Sequence, residues 1–141
     1  MDERDKDRPV SVEEAIAEAK RYYKNAKDIL KEVPVEYGIY KDGKKVREAC
    51  AIGYLSALFA IDAFILSKGK KPSELPTSYQ GYRDWLKKAP HNGKLLAAFR
   101  IVYENLHIFG YYRGGVNVDM VKAGFKYARV IIDTFSKLFE K

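Results

Sequence analysis

The sequence has 141 residues, of which 47% are hydrophobic and 32% are charged, and its formal net charge is +7. This size suits one domain that buries its own core, and the composition argues against a disordered or membrane-embedded chain. The positive charge permits weak attraction to polyanions, but the basic residues are spread along the chain and identify no partner by themselves.

The single cysteine, Cys50, allows no internal disulfide, which favours a reducing compartment and predicts a cytoplasmic location. Near the start of a buried helix, this thiol is expected to be inert packing. Residues 1–9 are a charged run without an apolar stretch, so we predict a disordered tail there rather than a signal peptide. Residues 10–141 are predicted to form one helical-bundle domain.

The first predicted helix begins with a capping box. Ser11 is the N-cap and Glu14 stands three residues later, followed by apolar residues at helical spacing. Pro34 disfavours helical geometry at the residue before it, so the helix is expected to end near Val33.

The second predicted helix is the centre of the bundle. It follows residues 35–40, a short apolar segment with no partner strand elsewhere, which we expect to be a connector. Asp42 caps a helix over residues 44–67 that is apolar on nearly all sides. Its apolar run is shorter than a membrane span and contains Asp62, so we predict a buried helix and no membrane.

A short third helix follows a loop over residues 68–77. The segment 77–80 resembles a second capping box and opens a helix that ends near Lys88. Trp85 and Leu86 are expected to face the core.

Two more long helices complete the predicted fold. They cover residues 94–109 and 118–139, with a glycine- and tyrosine-rich loop over residues 110–115 between them and Asn117 as a cap. Four long amphipathic helices with short connections predict an all-α, antiparallel four-helix bundle with an additional short helix.

Arg100 and His107 are the sharpest candidates for catalysis. Seven residues are nearly two helical turns, so both lie on one face, with Tyr103 and Glu104 between them and Tyr111 extending the stripe. An arginine beside a histidine can bind a phosphodiester and move a proton, because histidine titrates near neutral pH. The simpler alternative is an ordinary surface pair of Arg100 with Glu104, and a histidine that fills the bundle margin.

Asp62 is the candidate for a buried polar contact. An ionised carboxylate among apolar residues needs a partner, and His107, Arg100 or a tyrosine hydroxyl is expected to supply it. Asp62 would then form an acid–base pair with histidine, or a polar link that fixes helix register. It would alternatively be the polar contact of a small-molecule pocket, with Tyr103 and Tyr111 as further ligand-binding candidates.

The 11 tyrosines suit surfaces that are partly apolar and partly exposed to water. We therefore expect them at the margin of the core, in dimer contacts, or in a platform on which bases stack. No phosphate-binding glycine loop and no metal-ligand spacing of cysteine and histidine occurs in the sequence. We therefore expect no cofactor and no metal.

Several segments together resemble a small uncharacterised bacterial domain family. The similarity spans most of residues 11–135 and lies in the order and spacing of residues 40–46, 49, 57–58, 60–63, 103–107, 110–112, 124–125, 128 and 131–132. Members of that family have no assigned activity to transfer.

The predicted bundle also resembles, more distantly, HEPN domains, helical modules of prokaryotic nucleotide-binding and RNA-cleaving systems. HEPN ribonucleases carry an arginine, four to six residues and then a histidine, usually with a polar residue directly after the arginine. Arg100 and His107 have six residues between them, and Ile101 follows Arg100, which departs from the pattern. The resemblance implies a bundle fold, dimerisation, and association with RNA or nucleotides.

These observations favour a non-enzymatic interaction module that forms a homodimer. The first alternative is an RNA- or nucleotide-binding protein, or a metal-independent ribonuclease in which Arg100 clamps phosphate, His107 acts as acid or base, and Glu104 or Asp62 orients His107. The second is a bundle with a small-molecule pocket at Asp62. Because its first helix is locally ideal, the sequence is also typical of a redesigned protein.

Overall fold

The computed structural model describes residues 8–140. Within that range the chain forms, in order, α1 (Val12–Lys31), β1 (Val35–Glu36), β2 (Ile39–Tyr40), α2 (Gly43–Ser67), a 3₁₀ turn (Pro72–Glu74), α3 (Tyr79–Leu86), α4 (Asn92–Val102), a π-helix (Tyr103–Tyr112) and α5 (Val118–Leu138). The predicted all-α helical bundle with an additional short helix is confirmed.

Local capping residues fix the starts of the long helices. Ser11, Asp42 and Asn117 each accept a hydrogen bond from the backbone N–H three residues further on, as predicted. In α3 the predicted capping box was wrong by one residue. Ser78, not Thr77, is the N-cap, and its hydroxyl oxygen accepts from the N–H of Gly81 at 3.1 Å.

The segment predicted to be a connector, residues 35–40, is a β-hairpin, so that prediction was wrong. Its two strands pair with each other, and the turn residues Tyr37 and Gly38 have φ of 54° and 75°. Positive φ at both positions matches a type I′ turn, whose twist suits two antiparallel strands. The partner strand is therefore inside the same short segment.

This hairpin is anchored to the segment that opens α5. The N–H of Tyr40 donates to the carbonyl of Val116 at 2.9 Å, and the N–H of Val118 donates to the carbonyl of Gly38 at 3.0 Å. The link between α1 and α2 is thereby joined to the last helix.

α2 is the central helix, and it packs against α1, α5 and the π-helix. By length and composition it is apolar enough to cross a membrane, but 78% of its most apolar 18-residue stretch is buried inside the fold. Phe64 of α2 stacks on Phe135 of α5 with ring centroids 5.3 Å apart. The helix therefore lies in the core of the bundle.

The fourth predicted helix and the loop after it differ from the structure. α4 ends at Val102, and a π-helix continues through Tyr112, so residues 110–112 are helical rather than loop. The N–H of Arg113 donates to the carbonyl of Ile108, five residues earlier, at 2.9 Å. Gly110 permits the close approach to α2, because a Cβ there would lie 2.8 Å from the Cβ of Cys50.

Cys50 is fully buried, and burial raises the pKa of its thiol to about 12. Such a thiol is inert at neutral pH.

Most of the predicted tail over residues 1–9 lies outside the described residues. At its end, Arg8 Nη1 donates to the carbonyl of Pro72 at 3.0 Å, and Pro9 is buried. The described chain thus contacts the bundle from its first residues onward.

Candidate functional site

A cleft of about 320 Å³ lies between α2, α3 and the π-helix, within the size range of small-molecule sites. We call it the aromatic cleft. Two of the residues predicted from the sequence, Tyr103 and His107, are part of its wall. The complete wall among the described residues consists of Tyr54, Leu58, Thr77, Ser78, Tyr79, Tyr82, Tyr103 and His107.

Aromatic rings beside the cleft form a row of nearly parallel planes. The interplanar angles are 24° between Tyr79 and Phe99, 6° between Phe99 and Tyr54, 26° between Tyr54 and His107, and 16° between His107 and Tyr111. Their centroids are 4.6 to 6.4 Å apart along this row. These separations are typical of stacked aromatic pairs.

The π-helix supplies three of the aromatic residues in or beside the cleft. Tyr103, His107 and Tyr111 are spaced by four residues, so they lie along one side of the helix. Tyr103 also stacks on Tyr79 of α3, with centroids 3.9 Å apart and planes at 27°. Single-turn π-bulges occur frequently at functional sites, and a ten-residue π-helix is a larger departure from α geometry.

His107 is half-buried between Tyr54 and Tyr111, at centroid distances of 4.6 and 6.0 Å. Burial lowers the pKa of its imidazole from the ordinary value, because desolvation disfavours the charged form. The ring is therefore neutral at neutral pH and offers one hydrogen-bond donor and one acceptor.

Asp62 lies beneath the aromatic cleft. The hydroxyl of Tyr82 donates to Asp62 Oδ1 at 2.7 Å, and the two residues are only 1% and 0% exposed. Of the partners predicted for this carboxylate, a tyrosine hydroxyl is present. Because Tyr82 belongs to α3 and also lines the cleft, the bond fixes the floor of the cleft to the central helix.

Arg100 and Glu104 lie on the outer surface and do not belong to the cleft wall described above. Arg100 Nε donates to Glu104 Oε1 at 3.0 Å, with side chains 72% and 52% exposed. The pKa of Arg100 is raised by this hydrogen bond first and, to a smaller extent, by Tyr79. The guanidinium is therefore engaged with Glu104.

Tyr111 lies in an adjacent groove of about 230 Å³ with Arg47 and Tyr112. Thus the structure places Tyr103 and His107 in the cleft, Asp62 below it, Arg100 and Glu104 outside it, and Tyr111 next to it. Among residues 8–140, no group of three or more His, Cys, Asp or Glu side chains could hold a metal ion.

Sequence reasoning did not single out Tyr54, Tyr79 or Tyr82. Tyr79 and Tyr82 are three residues apart on a short helix, and this spacing places both on one face. That pattern was the available signal, while Tyr54 lies on a different helix and meets them only through packing.

The sequence of the chain matches a protein family. Residues 14–137 match the model of a family described as a domain of unknown function, DUF5618. The chain belongs to this family. The predicted membership of an uncharacterised domain family is confirmed.

A solved structure, a protein of unknown function from Dyadobacter fermentans, is similar to this family member. The two chains are 36% identical, and the match covers 93% of this chain and 100% of that chain with a TM-score of 0.77. No curated protein matches the chain. The more distant HEPN likeness stays a prediction.

Proposed function

We propose that this family member is a non-enzymatic binding module whose aromatic cleft stacks a nucleobase, presented by a nucleotide or by single-stranded RNA. The observation that supports it is the row of nearly parallel rings from Tyr79 to Tyr111 beside a cleft of about 320 Å³. A flat base extends such a row, and each base–aromatic stack is worth about 1–3 kcal/mol.

Polar groups in the wall suit the edge of a base. The hydroxyls of Thr77 and Ser78 and the neutral imidazole of His107 provide donors and acceptors around the apolar rings. Outside the cleft, Arg100 and the net charge of +7 favour the approach of a phosphate.

The contacts of Arg100 and His107 favour binding over cleavage. Arg100 is paired with Glu104, and His107 is stacked on Tyr54. In a metal-independent ribonuclease, the arginine and the histidine must contact the same phosphate group of the RNA. We therefore keep cleavage as the competing proposal, with Arg100, Glu104 and His107 as its residues.

Equilibrium binding of AMP and of a labelled adenosine-rich single-stranded RNA tests the proposal. Tyr79→Leu and His107→Leu each remove one stacking ring, and we expect each to weaken binding about 5- to 150-fold, the equivalent of about 1–3 kcal/mol. Tyr37→Asn is the matched control, because it removes an exposed tyrosine outside the cleft and asparagine tolerates the positive φ. Circular dichroism checks the fold of every variant.

Unchanged affinity in both folded cleft variants would contradict base stacking. If the protein binds the RNA but not AMP, the ligand is the RNA strand rather than the free nucleotide. Cleavage of the RNA by the parent, lost in Arg100→Ala and His107→Ala, would replace the binding module with a ribonuclease.

We also propose that the protein forms a homodimer through the hairpin face. Val35, Ile39 and Met120 are exposed apolar side chains, and the bridge between Ile39 and Asn117 brings the hairpin next to the start of α5. Val35→Lys with Ile39→Lys should convert a dimer to a monomer in sedimentation velocity. A parent that sediments as a monomer at high concentration would contradict this proposal.

A cytoplasmic location is proposed from the single cysteine, whose buried thiol forms no disulfide within the chain. Fractionation of cells that express the protein tests it, and recovery from an oxidising compartment would contradict it.

A further inference from the structure

A second cavity lies between the start of α4 and the end of α5. Its volume is about 420 Å³, larger than the aromatic cleft, and its wall includes residues that precede α4. None of its wall residues belongs to the aromatic cleft. We call it the basic-rimmed cavity.

The floor of the basic-rimmed cavity is apolar. Ala89, Leu95 and Phe135 belong to the buried core, and Leu138 at the end of α5 closes one side. An aliphatic or aromatic group that binds there would move out of water onto an apolar surface, which is favourable in proportion to the apolar area removed from water. The volume suits a small molecule rather than a folded segment of another protein.

The rim carries two cationic side chains. Lys94 belongs to α4 and Lys137 to α5, and no acidic side chain is among the described wall residues. Within residues 8–140, neither Lys94 nor Lys137 makes an ion pair, whereas other lysines, including Lys24 and Lys87, do. A ligand with one negative group and one apolar group complements this arrangement.

We propose that the basic-rimmed cavity binds a medium-chain aliphatic monocarboxylate. The chain of the ligand lies on Leu95 and Phe135, and its carboxylate accepts charge-assisted hydrogen bonds from Lys94 and Lys137. This site is separate from the nucleobase site and does not depend on it.

Three ligands with the same eight-carbon chain and different head groups test the site: octanoate, octanol and octylammonium. Titration calorimetry, with backbone NMR to locate the site, should show octanoate binding about tenfold more tightly than octanol, because charge-assisted hydrogen bonds contribute more than neutral ones. Octylammonium should bind more weakly than octanol, since its charge has the same sign as the rim.

The variant Lys94→Gln with Lys137→Gln separates the role of charge from that of the apolar floor. Both side chains are on the surface, so the fold should survive, and thermal unfolding checks it. Octanoate affinity should fall to that of octanol, while octanol affinity stays unchanged. Lys122→Gln with Lys126→Gln is the matched control, because it removes two exposed charges from α5 outside the cavity.

Equal binding of octanoate and octanol by the parent would overturn the proposal, as would an absence of binding at millimolar concentration. Unchanged octanoate affinity in the Lys94 and Lys137 double variant would do the same. AMP binding should be unaffected by the double variant, so the outcome is independent of the aromatic cleft.

Discussion

α1 and the π-helix both pack against the central helix α2, yet their outer faces have different chemistry. On α1 that face carries ion pairs between residues three or four apart, such as Arg21 with Glu18 at 2.6 Å and Lys24 with Asp28 at 2.8 Å. On the π-helix the corresponding positions carry rings, and His107 contacts four tyrosines.

The inner faces differ as well. α1 places alanines, including Ala15, Ala19 and Ala26, against the core, whereas the π-helix brings the backbone of Gly110 onto Cys50. The structure of α1 thus follows from local sequence signals, whereas that of the π-helix depends on contacts that only the assembled fold provides. The proposed binding site lies on the side of the π-helix, because aromatic rings at a cleft suit ligand recognition and exposed ion pairs contribute little.

Gly110→Ala should have the largest effect on stability. Its new Cβ would lie 2.8 Å from the Cβ of Cys50, so we expect overpacking to lower the free energy of unfolding by about 1–3 kcal/mol. Gly93→Ala is the control in α4, where a Cβ meets nothing within 4 Å and should stabilise by roughly 0.5–1 kcal/mol. Denaturant unfolding measures both, and a similar gain for the two variants would show that the π-helix does not approach α2 this closely.

Ser11→Ala tests the dependence of α1 on its local cap. The serine oxygen accepts from the N–H of Glu14 at 3.1 Å, and its loss should lower the free energy of unfolding by about 1 kcal/mol. The π-helix has no side-chain cap at its start, because it continues directly from α4. Ser73→Ala, at an exposed position of the 3₁₀ turn, should leave the unfolding curve unchanged. An equal loss in both variants would contradict the capping role.

His107 should make stability depend on pH in a known direction. Its pKa is lowered in the folded state, so the unfolded chain binds a proton more readily in the window below about pH 6.5. The stability that the neutral ring contributes is present above this value and is lost as the pH falls through the folded pKa. We expect His107→Gln to flatten this part of the pH profile in thermal unfolding, with His91→Asn at an exposed position of positive φ as the control. Identical profiles for the parent and His107→Gln would refute the assignment.

Lys24→Gln should have the smallest effect. It breaks an ion pair whose side chains are both largely exposed, and solvent and salt screen such pairs. The unfolding midpoint should stay within experimental error at both low and high salt. A clear fall in the midpoint at low salt would mean that the outer face of α1 contributes more than this comparison implies.

The elements predicted correctly are those with local signals. Ser11, Asp42 and Asn117 mark helix starts because a cap acts within one turn of its own residue. The hairpin was missed because its turn uses positive φ at Tyr37, a conformation that is uncommon for a residue with a side chain. The π-helix was missed because apolar spacing over ten residues does not distinguish it from an α-helix.

The candidate site was predictable only in part. Asp62 is noticeable in the sequence because its neighbours are apolar, but the choice of Tyr82 as its partner depends on how α3 docks on α2. His107 is noticeable as a titratable residue on a helix face, whereas its stacking on Tyr54 requires the packed bundle. The role of each residue depends on neighbours that are distant along the chain.

The burial of α2 under α5 has a consequence for how the protein is made. α2 leaves the ribosome before α5, and at about 5–20 residues per second the roughly 70 residues between their ends take about 4–14 s to synthesise. Until Phe135 covers Phe64, the nascent chain exposes a helix that is long and apolar enough to resemble a membrane segment. We therefore expect a message truncated before α5 to yield a chain in which part of this apolar helix stays uncovered.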